Sequence, residues 1–344
     1  LLSNTKEFQF AGTNPCAEEP LPAGGSCLLG SLNLAAFVRE KAFDEDAFCR
    51  AVAISVKALN DVLDEGLPLH PLQEQRDSVR DWRQIGLGVM GIADMLIELE
   101  IPYGSPESVE LCDRIGRLMS NAAMAASARL AQEAGGYPKC RVEDILQTPY
   151  FKENATEETQ ELVSRFGLRN SQLLTIAPTG TLSTMLGISG GIEPIFANYY
   201  ERKTESLHGK DVYYKVYTPI VERYRTAHGL VDDEDLPAWF VTAQTIDYRE
   251  RIEMQAVWQQ HIDASISSTV NVPNSFTEEE TQALYQLAWE RGLKGVTIFR
   301  EGCRRTGILT VDEKKADREP TGLRRGEIVQ VSNNVVGKKR KLMT

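Results

Sequence analysis

The chain has 344 residues, a formal net charge of −11 and 42% hydrophobic residues. That is enough to bury one large core or two ordinary ones, and the acidic balance argues against a polyanion partner such as DNA or RNA. Six scattered cysteines without a framework spacing, no leader-like segment and no apolar run of about 18 residues read as a reducing cytoplasm with no membrane span.

In chain order, residues 1–27 read as strand and loop, with Gly24-Gly25 as a hinge. Residues 28–39 and 42–63 carry helical periodicity, the second opening on an acidic stretch, Asp44 to Asp46, that suits a helix N-terminus. After a Pro/His/Gly break at 66–71, helices are expected over about 73–99, 105–135 and 156–166. Gln172 to Ala177 is a short buried-strand pattern closed by Pro178-Thr179-Gly180-Thr181, with a helix over 181–187 and a turn from Gly187 to Gly191. Residues 211–230 hold an aromatic strand or helix. Helices over about 237–262 and 277–292 flank a second buried strand near 266–271, and Gly295 to Phe299 is a third. Strands alternating with longer helices imply an α/β class with parallel strands. From about residue 312 the composition turns charged and Pro/Gly-bearing, as in a linker to another module.

Three polar groups of different chemistry stand at alternate positions, Asn14, Cys16 and Glu18. In an extended segment, residues two apart share a side and lie about 6.6 Å from one another. Pro15 and Pro20 keep Asn14 and Glu19 out of helical geometry. An amide, a thiol and a carboxylate would then face one small volume, large enough for one sugar or one acyl group. For a lone cysteine, a buried structural thiol is the better account; here the spacing and the flanking residues favour chemistry. Cys27 follows across a Pro/Gly-rich loop, and two thiols near one carboxylate suggest redox work rather than hydrolysis. Cys49, Cys112 and Cys140 read as packing residues, and Cys303 beside Arg304-Arg305 is ambiguous.

The run Leu173 to Ser183 has the form strand, tight turn, helix start. Gly180 lets a ligand approach the backbone, the free N–H groups of the helix start within Pro178 to Ser183 form an anion cradle, and Thr179, Thr181 and Ser183 add hydroxyls beside Leu182. Ordinary helix capping is the competing account, and the Gly-Lys-Ser/Thr ending of a Walker loop is absent. Gly86-Leu87-Gly88-Val89-Met90-Gly91 matches a dinucleotide fingerprint in its letters, but polar residues 78–84 precede it. Close helix packing is the better account of these glycines, and a nicotinamide-dependent dehydrogenase stays a remote alternative. Four scattered histidines (His70, His208, His228, His261) and no Cys-x-x-Cys leave no protein-built metal site in view. The basic run Lys338 to Lys341 reads as a solvated turn.

Six blocks taken together and in order resemble the catalytic large chain of ribonucleotide reductases. They are Asn14 to Glu18, Cys27 to Leu34, Gly86 to Gly91, Ala177 to Thr181, Gly191 to Pro194 and Ser265 to Asn271. The resemblance implies the second half of a ten-stranded α/β barrel over residues 1–311, with a central finger loop over 1–35 and a linker into an appended module over 312–344. It implies that Cys16 becomes a thiyl radical and abstracts the ribose 3′ hydrogen. Glu18 takes the 3′-OH proton, Asn14 holds the substrate hydroxyls and Glu18 in register, and Cys27 is one member of a reducing dithiol whose partner lies N-terminal to Leu1. Residues 178–183 would bind the phosphates of a ribonucleotide, a diphosphate above all. Thr297-Ile298 stand where the iron- or manganese-dependent class carries a tyrosine pair, and the Cys16–Cys27 interval is short; both features are similar to the adenosylcobalamin class. The metal-dependent class is the alternative. Expected partners are the absent N-terminal half, in the same or a separate chain, a dithiol reductant such as thioredoxin, and a second copy in a homodimer. Alone, the segment is expected to be an inactive piece of the enzyme.

Overall fold

The computed structural model describes Leu2 and residues 7–26, 28–205, 211–233 and 235–302. Cys27, Cys303, the expected linker over 312–344 and the basic run at 338–341 lie outside the described residues.

The strands are β1 (Phe10–Thr13), β2 (Pro20–Pro22), β3 (Leu29–Asn33), β4 (Val38–Arg39), β5 (Ala42–Phe43), β6 (Gly86–Met90), β7 (Tyr199–Glu205), β8 (Asp211–Tyr217), β9 (Thr269–Val272) and β10 (Thr297–Arg300). The helices are α1 (Glu45–Gly66), α2 (Gln73–Trp82), α3 (Ile92–Glu98), α4 (Pro106–Ala134), α5 (Val142–Gln147), α6 (Pro149–Asn154), α7 (Glu157–Phe166), α8 (Gly180–Leu186), α9 (Pro219–His228), α10 (Tyr248–His261) and α11 (Glu278–Glu290).

Five extended segments are hydrogen-bonded side by side in chain order, all parallel. β3 pairs with β6 over Leu29–Gly86 to Asn33–Met90. β6 then meets segment 172–176 through a Leu87–Leu174 bridge, with Leu87 N–H on Leu173 O and Thr175 N–H on Leu87 O. That segment meets the next at Ile176–Ile266, and the latter continues into β9, which pairs with β10. Helices run between successive segments, as parallel crossovers require. Among the described residues the five segments do not close on themselves.

The helices follow local signals. Asp44 caps α1 at Ala47 N–H, with Glu45 and Asp46 in the first turn as the sequence suggests. Ser105 caps α4 before Pro106, and Thr277 with Glu280 forms a capping box on α11. Phe48, Val52 and Val56 of α1, Ile115 and Met119 of α4 and Trp258 of α10 share one core with Leu87, Val89, Leu174 and Ile176 of the ladder.

Several expectations are corrected. Residues 28–39 are not a helix: β3 is followed by a single 3-10 turn at Leu34–Phe37, capped by Asn33. Within residues 1–35, β1 and β2 form a hairpin and β3 already belongs to the ladder. The helix expected over 73–99 is α2 and α3 with β6 between them. The glycines of Gly86 to Gly91 accordingly serve strand packing rather than helix packing. A Cβ on Gly88 would stand 2.3 Å from Thr175 O, and Gly91 takes the left-handed φ of +73° where the chain leaves β6. Because Gly86 to Met90 is itself a buried strand, it offers no loop to a pyrophosphate. The helix expected from 237 begins only at Tyr248, and the aromatic stretch after 211 is β8 followed by α9, with β7 as β8's antiparallel partner.

Candidate active site at the hairpin tip

β1 and β2 pair antiparallel, Thr13 opposite Pro20, and carry residues 14–19 as their connecting tip. Within the tip, Ala17 N–H donates to Asn14 O at 3.0 Å, closing a four-residue turn with Pro15 at its second position, where a fixed φ suits it. Ala17 then takes a positive φ of 64°. Strand alternation therefore does not set the directions of Asn14, Cys16 and Glu18; a turn with a left-handed residue lies among them, and the expected extended spacing is corrected. A non-glycine residue held left-handed costs on the order of 1–3 kcal/mol and persists only where its surroundings over-determine it.

Those surroundings are specific. Asn14 Oδ1 accepts Glu19 N–H at 3.0 Å, and Asn14 N–H donates to Glu19 O at 3.3 Å, so one asparagine clasps both ends of the tip. Its Oδ1 being committed, the amide NH2 is the end left to face a ligand. Glu18 O accepts Ser265 N–H at 3.0 Å and Thr175 Oγ–H at 2.7 Å, which docks the tip across two neighbouring ladder segments. Glu18 is 2% exposed, and its Oε2 has no hydrogen-bond partner among the described residues. Cys16, at the apex, is exposed and free. The enclosed volume expected around its thiol is not formed by the described residues alone.

Thr175 is three residues before Pro178, so the docked tip and the 178–183 turn are consecutive stations on one strand, about 10 Å apart by strand rise. Thr179 begins α8 with a left-handed φ of 50° and makes no side-chain cap. Its Oγ1 instead accepts Gly191 N–H at 2.9 Å, leaving the first N–H groups of α8 uncapped. A Cβ on Gly180 would meet nothing within 4 Å, so the turn is open toward solvent there. Ser183 is buried and its hydroxyl donates back to Gly180 O, so it is not the outward donor expected of it; Thr181 and Leu182 are exposed. With seven residues, α8 carries little macrodipole, and the uncapped N–H groups themselves are what the turn offers an anion. Ile188 N–H donates to Ser183 O, and beside it Ser189 N–H donates to Asp94 Oδ2 at 2.7 Å. Burial raises the Asp94 carboxyl above its ordinary range, against the Ser189 bonds that lower it.

Glu19, Gln172, Thr175 and Ser265 escaped the sequence reading. For Gln172, Thr175 and Ser265 the one signal is a polar residue in or beside a run otherwise fit for a buried strand; Glu19 carries none. Cys112 lies in the core and Cys140 packs against it, with burial pushing the Cys112 thiol up to about 12; Cys49 is half-buried on α1. Among the described residues no three His, Cys, Asp or Glu are placed to hold a metal ion, and no helix is long and apolar enough to cross a membrane.

A family model described as "Ribonucleotide reductase, barrel domain" matches residues 3–299. The chain is 34% identical over 339 residues to a vitamin B12-dependent ribonucleoside-diphosphate reductase of Mycobacterium tuberculosis, covering 91% of this chain and 44% of the relative. It is 34% identical over 317 residues to a protein of the same description from Thermoplasma acidophilum, covering 87% and 38%. A ribonucleoside-diphosphate reductase subunit alpha of Chlamydia pneumoniae is 28% identical, covering 84% and 31%. The chain thus spans less than half the length of these relatives, and it belongs to the ribonucleotide reductase barrel family.

Proposed function

We propose, from that family membership, that the chain is the thiyl-bearing part of an adenosylcobalamin-dependent ribonucleoside-diphosphate reductase. Its five parallel segments would be half of a ten-stranded barrel completed by the remainder of the enzyme, in the same or a separate polypeptide. The observation that carries the reading is the double anchorage of Glu18 O on Thr175 and Ser265, on the strand that runs directly into the 178–183 turn.

The uncapped N–H groups of Gly180 to Leu182 would hold the substrate phosphates without net positive charge, which suits a chain of charge −11. With the phosphates there, the ribose would reach back toward the hairpin tip. Cys16, as thiyl, takes the 3′ hydrogen atom and becomes a thiol. Glu18, its Oε2 unpartnered, takes the 3′-OH proton as general base, and the Asn14 amide NH2 orients the hydroxyls. The 2′-hydroxyl takes a proton from one thiol of the reducing pair and leaves as water, and the pair's second proton and its electrons place hydrogen on C2′. Glu18 returns its proton to the 3′ oxygen, and the Cys16 thiol returns its hydrogen atom to C3′, which restores the thiyl. Two electrons come from Cys27 and a second thiol of the complete enzyme, which end as a disulfide for an external dithiol to reduce.

Adenosylcobalamin supplies, when bound, a carbon-centred radical able to take hydrogen from a thiol. Two features fit it: Cys16 is exposed at the apex, and Thr297 and Ile298 offer no oxidisable side chain for a relay from another subunit. The names of the Mycobacterium and Thermoplasma relatives point the same way. The test is reduction of ribonucleoside diphosphates by the complete enzyme with adenosylcobalamin and a dithiol. Turnover that ignores the cofactor, or that survives Cys16→Ser, overturns the reading.

A further inference from the structure

We infer that Glu19 is a positioning residue for the chemistry proposed above: its buried carboxyl, seated in the hollow left by Gly86 and tied to Gln172, fixes the hairpin tip that presents Cys16 and Glu18. The inference rests on that functional reading and extends it to a residue with no part in the reaction scheme.

Glu19 is 1% exposed, the most deeply buried carboxylate residue of the tip. Its Oε2 accepts from Gln172 Nε2, and Gln172 Oε1 in turn accepts from Gln84 Nε2 at 3.2 Å. Gln84 Nε2 also lies 3.4 Å from Pro20 O, so the amide chain returns to the hairpin one residue after it left. Oε1 occupies the space a side chain at Gly86 would need: a Cβ there would stand 2.2 Å from it. The glycine and the acid are complementary shapes, one missing side chain filled by another.

The surroundings disfavour charge on this carboxyl. Burial raises it well above the ordinary carboxylate range, the Gln172 bond opposes that, and the charges of Asp263 and Glu18 add to it. Among the described residues no cation stands within ion-pair distance. Lys294 gives its Nζ to Asp263 O and Ala264 O. With no cation beside it, this carboxyl holds position through shape and its hydrogen bond to Gln172, so Gln is its conservative mimic.

The lever arm is short. Glu19's own N–H and C=O are the two groups that Asn14 clasps, and Glu18 precedes it in the chain. A carboxyl that loses its seat shifts Asn14 and Glu18 together, while the 178–183 turn, held by Gly191 N–H on Thr179 and Ile188 N–H on Ser183, stays in place. Chemistry should therefore suffer and nucleotide binding should not.

The experiment compares Glu19→Gln, Glu19→Ala and Gln172→Leu with wild type and Cys16→Ser in the complete enzyme, reading kcat, KM, nucleotide affinity and melting temperature. Glu19→Gln should stay near wild type. Glu19→Ala should lose about 100-fold in kcat, the scale of an ångström's misplacement, with nucleotide affinity unchanged. Gln172→Leu, which removes the partner and leaves the acid, should show the same split and decides the matter if Glu19→Ala does not fold. Unchanged kcat, or kcat and affinity falling together, overturns the positioning role. Loss of activity in Cys16→Ser with full activity in Glu19→Ala and Gln172→Leu removes the Glu19 role alone; an active Cys16→Ser removes the functional reading and this role with it.

Discussion

Thr175 donates its hydroxyl to the main-chain carbonyl of Glu18 at 2.7 Å, a bond spanning 157 positions of sequence that joins the hairpin tip to the strand leading into the 178–183 turn. The same oxygen lies 3.0 Å from Ser265 O, so one proton serves two buried carbonyls. Thr175→Val keeps the volume and removes the donor. The expected cost is about 1 kcal/mol of stability, since Glu18 O keeps Ser265 N–H. A fall in kcat of the complete enzyme should accompany it. Thr175→Ser should restore both, and calorimetry with steady-state kinetics checks the pair.

Gly180→Ala tests the cradle. The space around Gly180 is open and its φ is not left-handed, so the fold should tolerate alanine with a melting temperature near wild type. The added methyl would stand where phosphate is proposed to approach. KM should rise while kcat at saturation changes little. An unchanged KM would take the phosphates elsewhere.

Gly86→Ala should be among the most damaging single methyl additions in the chain. The new Cβ meets Glu19 Oε1 at 2.2 Å, Thr175 Cγ2 at 2.4 Å and Leu29 Cδ2 at 2.8 Å, from three different segments. Overpacking of this kind costs about 1–3 kcal/mol or more. Denaturant unfolding of the purified chain reads it directly, and a loss within 0.5 kcal/mol, the ordinary range of a surface change, would contradict the packing described.

Much of the fold was legible. The helices α1, α4, α7 and α11 carry caps and periodicity in their own residues, and the ladder segments at 172–177, 266–272 and 297–300 announce themselves as apolar runs. β3 and β6 did not. Leu29 to Asn33 and Gly86 to Met90 are rich in glycine and small residues because each lies against a neighbouring segment, and that pairing spans 57 positions. Asn14, Cys16 and Glu18 stand out by chemistry, yet the geometry of the tip that carries them does not. A left-handed alanine and a clasp from Asn14 to Glu19 are tertiary facts, set by where Thr175 and Ser265 receive the tip. Glu19 itself looked like one more acidic loop residue.

Stability against pH isolates Glu19. Its folded carboxyl titrates well above the ordinary 4.5, chiefly through burial. Below about pH 4.5 both folded and unfolded forms are protonated and nothing is lost. As pH rises from there toward the folded pKa, the unfolded chain releases a proton that the folded chain retains. Stability then falls by about 1.4 kcal/mol per pH unit from this group. Glu19→Gln has no such proton. It should match wild type near pH 4 and become progressively the more stable of the two toward pH 7, as urea unfolding at several pH values will record. A gap that does not change with pH would mean that Glu19 is ionised in the folded protein.

The most direct measurement of the central claim is the fate of tritium at the ribose 3′ position of a ribonucleoside diphosphate turned over by the complete enzyme with adenosylcobalamin. Wild type should release part of the label to solvent, Cys27→Ser should still release it while making little product over many turnovers, and Cys16→Ser should release none. Label released by Cys16→Ser, or retained in full by an active wild type, would contradict the assignment of Cys16.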